Sequence, residues 1–316
     1  MCTAVNFGKE THYFGRNLDV DRSFGEAIVI TPRNYPLGFR HEPVLENHYA
    51  IIGMAKTIHG FPLYFDGTNE TGLSVAALNF PRNAYYYPCE ENRRNIASFE
   101  VIPYILSICK DVEEAEALLS TLTVTNDSFC PEIPPTPLHW IISDKNRSIV
   151  LESTAKGTEL YQNPFGILTN NPPFAFHEEN MHRYMGLHEG IEENLLSDTL
   201  TLKNTSIGFG AVGLPGDFSS VSRFVKAVYV KEKSQYTGSE TENVHQFFHI
   251  LASVAMPKGS IRMENGAYEY TRYSGCCNTD LQIYYYNTYN DLSIRKVELR
   301  KENLDTNHLI EFPIEE

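Results

Sequence analysis

The sequence has no apolar run long enough to span a bilayer, and its mean hydropathy is -0.31. It also has no lysine- or arginine-rich block. With 40 Asp and Glu against 26 Lys and Arg, the formal net charge is -14. Neither nucleic acid nor an anionic membrane would meet an electrostatic footprint on such a chain. A negatively charged substrate gains no long-range steering and must be held by local arginines and apolar contact. The N-terminus lacks a basic region followed by an apolar stretch, so no secretory signal is read there and a cytoplasmic location is expected.

Cysteine is sparse and unpatterned. The six, Cys2, Cys89, Cys109, Cys130, Cys276 and Cys277, form no C-x-x-C pair, and a chain this long needs no disulfide staples. The adjacent Cys276 and Cys277 read as ordinary buried residues. His245 and His249 have the spacing of one helix face but lack the glutamate of H-E-x-x-H. His177 and His182 likewise lack the partners of a zinc site. Neither the cysteines nor these histidines predict a metal site.

No repeat, low-complexity tract or Gly/Ser linker divides the 316 residues. The first third reads as strands: "THYFGRNLDV", "EAIVITP", "YAIIGMAKTI" and "GLSVAALNF" are β-branched or aromatic runs bounded by turn residues. In "ASFEVIPYILSICKDVEEAEALLSTL" the apolar residues fall at helical spacing, and Asp111 with Glu114 predicts a capping box opening a second helix. "LHWIISDKNRSIVLEST" predicts a hairpin, and a helical stretch is expected near "FHEENMHRYMGL". "SSVSRFVKAVYVKE" and "ENVHQFFHILASVAM" predict amphipathic helices, and "YEYTRYS", "QIYYYNTYN" and "SIRKVEL" return to strands. This alternation predicts an α+β layered domain rather than a doubly wound one.

The residue that stands out is Cys2, directly after the initiator methionine in "MCTAV". A catalytic thiol needs a nearby base, and no papain-like Cys–His arrangement surrounds any other cysteine. Once Met1 is removed, which a small second residue generally permits, Cys2 carries a nucleophile and an α-amine on one residue. Their reference pKa values, ~8.5 and ~7.7–8.0, suit proton exchange near neutrality. The plain alternative is a small residue beginning a strand. "YFGRNLDVD" places Arg16 and Asp19 on a strand expected to pair with the one starting at Cys2. There Arg16 would stabilise the thiolate and Asp19 would orient the amine; otherwise the two form an exposed pair at a strand end.

"MCTAV", "YFGRNLD", "GLSVAALNFP", "LHWIISD", "GILTNNP", "GLPGDFSSVSRF" and "YYYNTY", in order over nearly the whole chain, resemble the choloylglycine hydrolase family, and specifically bile salt hydrolases. The resemblance implies a single N-terminal-nucleophile hydrolase domain over 2–316, Met1 being removed. The implied fold is a four-layer αββα sandwich of antiparallel sheets, assembled as a homotetramer. It implies cleavage of the amide joining a bile acid to glycine or taurine through a Cys2 thioester, with no cofactor. Arg16 and Asp19 would then flank the thiol and amine, and Arg223 would be a further charged member of the site. Asn79 through its backbone N–H and Asn170 through its side-chain amide would contact the oxyanion. Read without the family, Asn79 is a strand end and Asn170 part of a plain turn.

For the substrate, the resemblance implies an apolar pocket formed by Leu18, Phe61, Phe65, Phe129, Ile133 and Leu138, each of which reads equally well as core. Penicillin V acylases share the fold and often carry tyrosine where this chain has Asn79, which favours the bile salt reading. Ser74, Ala77 and Val20 depart from the common pattern and are expected to alter pocket shape without touching a catalytic atom. Two other readings are an amidase for penicillin V or another N-acyl amide, and a non-catalytic bile acid binding protein.

Overall fold

The computed structural model describes residues 1–314; positions 315 and 316 of the expected 2–316 domain lie outside the described residues. The chain begins with β1 (Cys2–Gly8), β2 (His12–Val20), β3 (Ala27–Thr31), β4 (Ile51–Ile58), β5 (Phe61–Asn69) and β6 (Ser74–Asn79). A short β7 (Arg94–Ala97) leads to α1 (Val101–Ile108), α2 (Val112–Leu119) and β8 (Leu122–Thr125). Next come β9 (Leu138–Ser143), β10 (Ser148–Thr154), β11 (Gly157–Gln162), β12 (Ile167–Leu168) and α3 (Phe174–Met181). The helices α4 (Ser220–Lys233) and α5 (Glu240–Ala252) precede β13 (Ile261–Arg262), β14 (Tyr268–Asn278), β15 (Ile283–Thr288), β16 (Arg295–Glu298) and β17 (Ile310–Pro313).

Two antiparallel sheets stack face to face. One has the order β12-β1-β2-β14-β15-β16, with β13 beside β14; the other runs β11-β10-β9-β6-β5-β4-β3-β17. The two-residue side-chain period of a strand decides which layer each residue enters. In the second sheet Ile28, Ile30, Ile52, Met54, Ala76 and Leu78 point inward, into a core shared with the first sheet and with Phe224, Phe247 and Leu251 of α4 and α5. Their neighbours Val29, Ile51, Val75 and Ala77 point outward and pack under Ile102, Ile105 and Leu106 of α1 and Val112 and Leu119 of α2. Helices, sheet, sheet, helices: the layer order is the αββα sandwich expected.

Because both faces of each sheet are covered, central strands are buried almost throughout, β2 from His12 to Asp19. Burial on both faces of β2 thus includes the polar His12, Arg16, Asn17 and Asp19, which must find partners inside the fold. The first helix pair is shorter than its apolar periodicity implied, since a 3-10 turn occupies Ser98–Glu100. The capping box is half formed. The Asp111 side chain accepts from Glu114 N–H, but the Glu114 carboxylate reaches back to Lys110 N–H at 2.9 Å instead of Asp111. Buried Cys276 and Cys277 are free thiols, and desolvation pushes the Cys277 pKa up to about 12.

Candidate active site

The first hairpin sets the geometry. Cys2 pairs with Leu18 and Ala4 with Arg16, so by strand alternation Cys2, Arg16, Leu18 and Val20 share one face while Thr3, Asn17 and Asp19 share the other. The first face looks across to the second sheet. There a cavity of about 540 Å³ opens, lined by Cys2, Arg16, Leu18 and Val20 together with Phe65, Ala77 and Asn79 of the opposing sheet. Cys2 is only 2% exposed, yet it borders this cavity, so it is closed to bulk solvent and open to a ligand.

The cavity exists because the second sheet splits. Pairing between β5 and β6 stops at Asp66 and Ala76. Phe80 N–H donates to Pro137 O at 2.8 Å, which sets the ladder phase so that the backbone polar groups of Ala77 and Asn79 turn away from β9 and face the gap. Arg16 fills that gap. Its Nη1 donates to Phe65 O at 2.9 Å and to Ala77 O, bridging the two strands where their own ladder has ended. The expectation that Ala77 touches no catalytic candidate is therefore corrected. The contact is through its carbonyl, which any residue offers, so the side-chain difference gave no sign of it.

Arg16 is fully buried, and desolvation alone would lower its pKa. The negative charge that Cys2, Tyr273, Asp66 and Asp19 carry when ionised outweighs that cost and holds the guanidinium above its ordinary value. Asp66 in turn accepts Tyr273 OH at 2.8 Å and Tyr284 OH at 2.7 Å.

On the other face, the Cys2 nitrogen donates to Asn170 Oδ1 at 2.8 Å. Asn170 is held at every polar atom. Its Oδ1 also accepts Arg223 Nη2 at 2.8 Å, its Nδ2 donates to Asn79 O at 2.7 Å, and its backbone N–H donates to Ser220 Oγ at 2.8 Å. These partners admit one amide orientation, oxygen toward Cys2 and nitrogen toward Asn79. Arg223, on the first turn of α4, donates to Cys2 O at 2.5 Å and to Thr3 Oγ1 at 2.6 Å. Desolvation lowers its pKa, against the pull of Asp19 and Cys2.

Asp19 accepts Thr271 Oγ1 at 2.6 Å through Oδ1. Its Oδ2 is buried, takes no hydrogen bond among the described residues and lies 4.0 Å from Arg223 Nη1. With Met1 in place, its ammonium donates to Asp19 O at 2.7 Å and pairs with Glu269. Burial lowers the pKa of that ammonium, partly offset by Cys2 and Asp19.

A family model described as linear amide C-N hydrolases, choloylglycine hydrolase family, matches residues 2–312. The chain belongs to the choloylglycine hydrolase family. It is 44% identical over 314 residues to a bile salt hydrolase/transferase of Lactiplantibacillus plantarum, covering 99% of this chain and 97% of that one. A crystal structure of a mutant conjugated bile acid hydrolase from Clostridium perfringens matches with a TM-score of 0.92 at 33% identity, over 100% of this chain and 97% of the other. Penicillin V acylase from Agrobacterium tumefaciens matches at TM-score 0.78 and 17% identity, over 98% of this chain and 90% of that one; that likeness concerns the fold. As a choloylglycine hydrolase family member, the protein is an amide hydrolase.

Of the residues that the sequence singled out, Leu18, Phe65, Phe129, Ile133 and Leu138 line the cavity beside Cys2 and Arg16. Phe61 borders an adjoining depression with Phe99 and Phe129. Asp19, Asn170 and Arg223 cluster behind the thiol, around its backbone. Sequence reasoning missed Arg22, Phe24 and Lys56, which also line the cavity. Arg22 and Phe24 lie beyond the end of β2 at Val20, where strand alternation no longer places side chains.

Proposed function

We propose that this protein cleaves the amide of glycine- or taurine-conjugated bile acids, with Cys2 as nucleophile after Met1 is removed. The observation that carries the reading is the two-sided setting of Cys2. Its thiol borders a roomy, mainly apolar cavity of a size typical for small-molecule ligands, while its nitrogen sits among Asn170, Arg223 and Asp19 on the opposite side. The names of the bile-acid-hydrolysing relatives support the substrate class.

In this mechanism the free Cys2 amine keeps its contact with Asn170 Oδ1 and, once protonated, turns a further N–H toward Asp19 Oδ2, which accepts no hydrogen bond among the described residues. The thiol gives its proton to the amine and the sulfur attacks the scissile carbonyl. The tetrahedral intermediate collapses to a thioester as the ammonium protonates the departing glycine or taurine nitrogen. Water then attacks, losing a proton to the same amine, and the second collapse releases the bile acid and restores the thiol. The oxyanion is met by Asn79 N–H and the second N–H of Asn170 Nδ2, each donor worth about 2.7–4 kcal/mol of barrier. Arg22 and Lys56 supply local positive charge for an anionic conjugate on a chain whose overall charge repels it.

The apolar wall sets affinity. Burying a steroid at ~25 cal/mol per Å² contributes several kcal/mol, more than a screened contact to the amino-acid anion adds. The assembly proposed with this reading is a homotetramer, checked by sedimentation. The deciding experiment combines intact mass with release of amine from glycocholate, taurocholate and penicillin V by the wild type and Cys2→Ala. We expect a mass lacking Met1, release from both bile salts, and no turnover by a folded Cys2→Ala. An active species retaining Met1, or wild-type turnover by the variant, sinks the mechanism; preference for penicillin V sinks the substrate.

A further inference from the structure

Outside the cavity, three loops bring His41, Cys89 and Asp127 together, with one ligand atom from each lying within 4.8 Å of the others. The distances are 2.7 Å from His41 Nε2 to Asp127 Oδ2 and 3.3 Å from His41 Nε2 to Cys89 Sγ. The backbone explains the meeting. Tyr87 and Thr125 form a parallel bridge, and Cys89 and Asp127 each lie two residues beyond it, so both emerge on one side. Arg40 places His41 opposite them, its N–H donating to Glu100 Oε1 at 2.7 Å and its guanidinium to Phe129 O.

A Cys–His–Asp catalytic triad would use both imidazole nitrogens, one facing the thiol and one the carboxylate. Here thiol and carboxylate face the same nitrogen. Three different donor atoms thus lie within 4.8 Å of one another, grouped at one nitrogen of the imidazole, a grouping that suits a shared cation better than a proton relay. Tetrahedral zinc, with bonds of ~2.0–2.3 Å, separates its ligands by roughly 3.3–3.6 Å, within small side-chain adjustments of the distances seen. Imidazole and thiolate select zinc-class ions over magnesium or calcium. Thr125 Oγ1 donates to Asp127 Oδ2 at 2.5 Å, the kind of outer hydrogen bond that orients a ligating carboxylate.

We propose that His41, Cys89 and Asp127 form a binding site for a zinc-class divalent cation, with the fourth position open to water. The ion ties together the 32–50, 80–93 and 126–137 segments, the last of which carries the cavity residues Phe129 and Ile133. This site plays no part in the amide chemistry and does not depend on the substrate assigned above.

The test uses full-length protein carrying Cys2→Ala, so that the active-site thiol cannot bind metal. Cobalt(II) titration should saturate at one equivalent with a thiolate-to-cobalt charge-transfer band that zinc displaces, and zinc should raise Tm. Cys89→Ser should abolish the band and the Tm shift, and His41→Ala and Asp127→Ala should each weaken binding at least tenfold. These side chains are partly exposed, so the variants should fold, which circular dichroism checks. A band that survives Cys89→Ser, or zinc affinity equal in all three variants and their parent, overturns the proposal.

Discussion

Cys2 stands directly across the β1–β2 ladder from Leu18. That single register places the sulfur on the cavity side with Arg16, and leaves Asp19 on the far side with Arg223. A one-residue slip would exchange the two faces.

Arg16 is expected to be irreplaceable by lysine. Its Nη1 donates to both Phe65 O and Ala77 O while Nε reaches Asn17 O at 3.4 Å; a lysine ammonium on a flexible stem has no second nitrogen in a rigid plane to hold that position. We expect Arg16→Lys to lower kcat/KM by at least tenfold, and Arg16→Ala to cost about 2–4 kcal/mol by leaving buried carbonyls unpaired. Urea unfolding and steady-state kinetics on both variants check this.

Asn170→Ala should reduce kcat by about 10²–10³ with a smaller change in KM, as expected for a donor used mainly in the transition state. Equal kcat in variant and wild type would remove Asn170 from the oxyanion role.

Leu18 lines the cavity beside Cys2, and in the proposed function it would contact the steroid. Truncation to Ala removes apolar contact worth roughly 1.5 kcal/mol, so KM should rise about tenfold, and equally for glycine and taurine conjugates. A change confined to one conjugate would place Leu18 against the amino acid instead.

Acid should destabilise the fold through two buried histidines. Desolvation depresses both His12 and His177 from 6.5 to about 4. The unfolded chain then takes up protons first, so stability is complete above pH 6.5 and is lost as pH falls toward 4, on the order of 3 kcal/mol for each. Urea midpoints between about pH 4 and pH 7 test the slope, which His177→Gln should make shallower; an unchanged slope refutes the assignment for that residue.

Local chemistry was legible in the chain itself. The turn residues around "YFGRNLDV", the helical spacing in "SSVSRFVKAVYVKE" and the Asp111 cap announced their elements, because each depends on residues a few positions apart. The Glu114 contact was misassigned by one residue because competing N–H groups lie within reach of one flexible side chain. Short strands such as β12, two residues long, escaped notice because their stability comes from the sheet they join.

What the sequence determined alone was the strand or helix character of its longer segments, the thiol at the second position and the strand that carries Arg16 and Asp19, all consequences of neighbouring residues. Tertiary structure alone decided that β5 and β6 part at Ala77, that Arg16 bridges the opening, and that His41 meets Asp127 86 positions away. Such meetings arise when sheets and loops dock, and the energy of docking is spread over the whole core rather than written in any one segment.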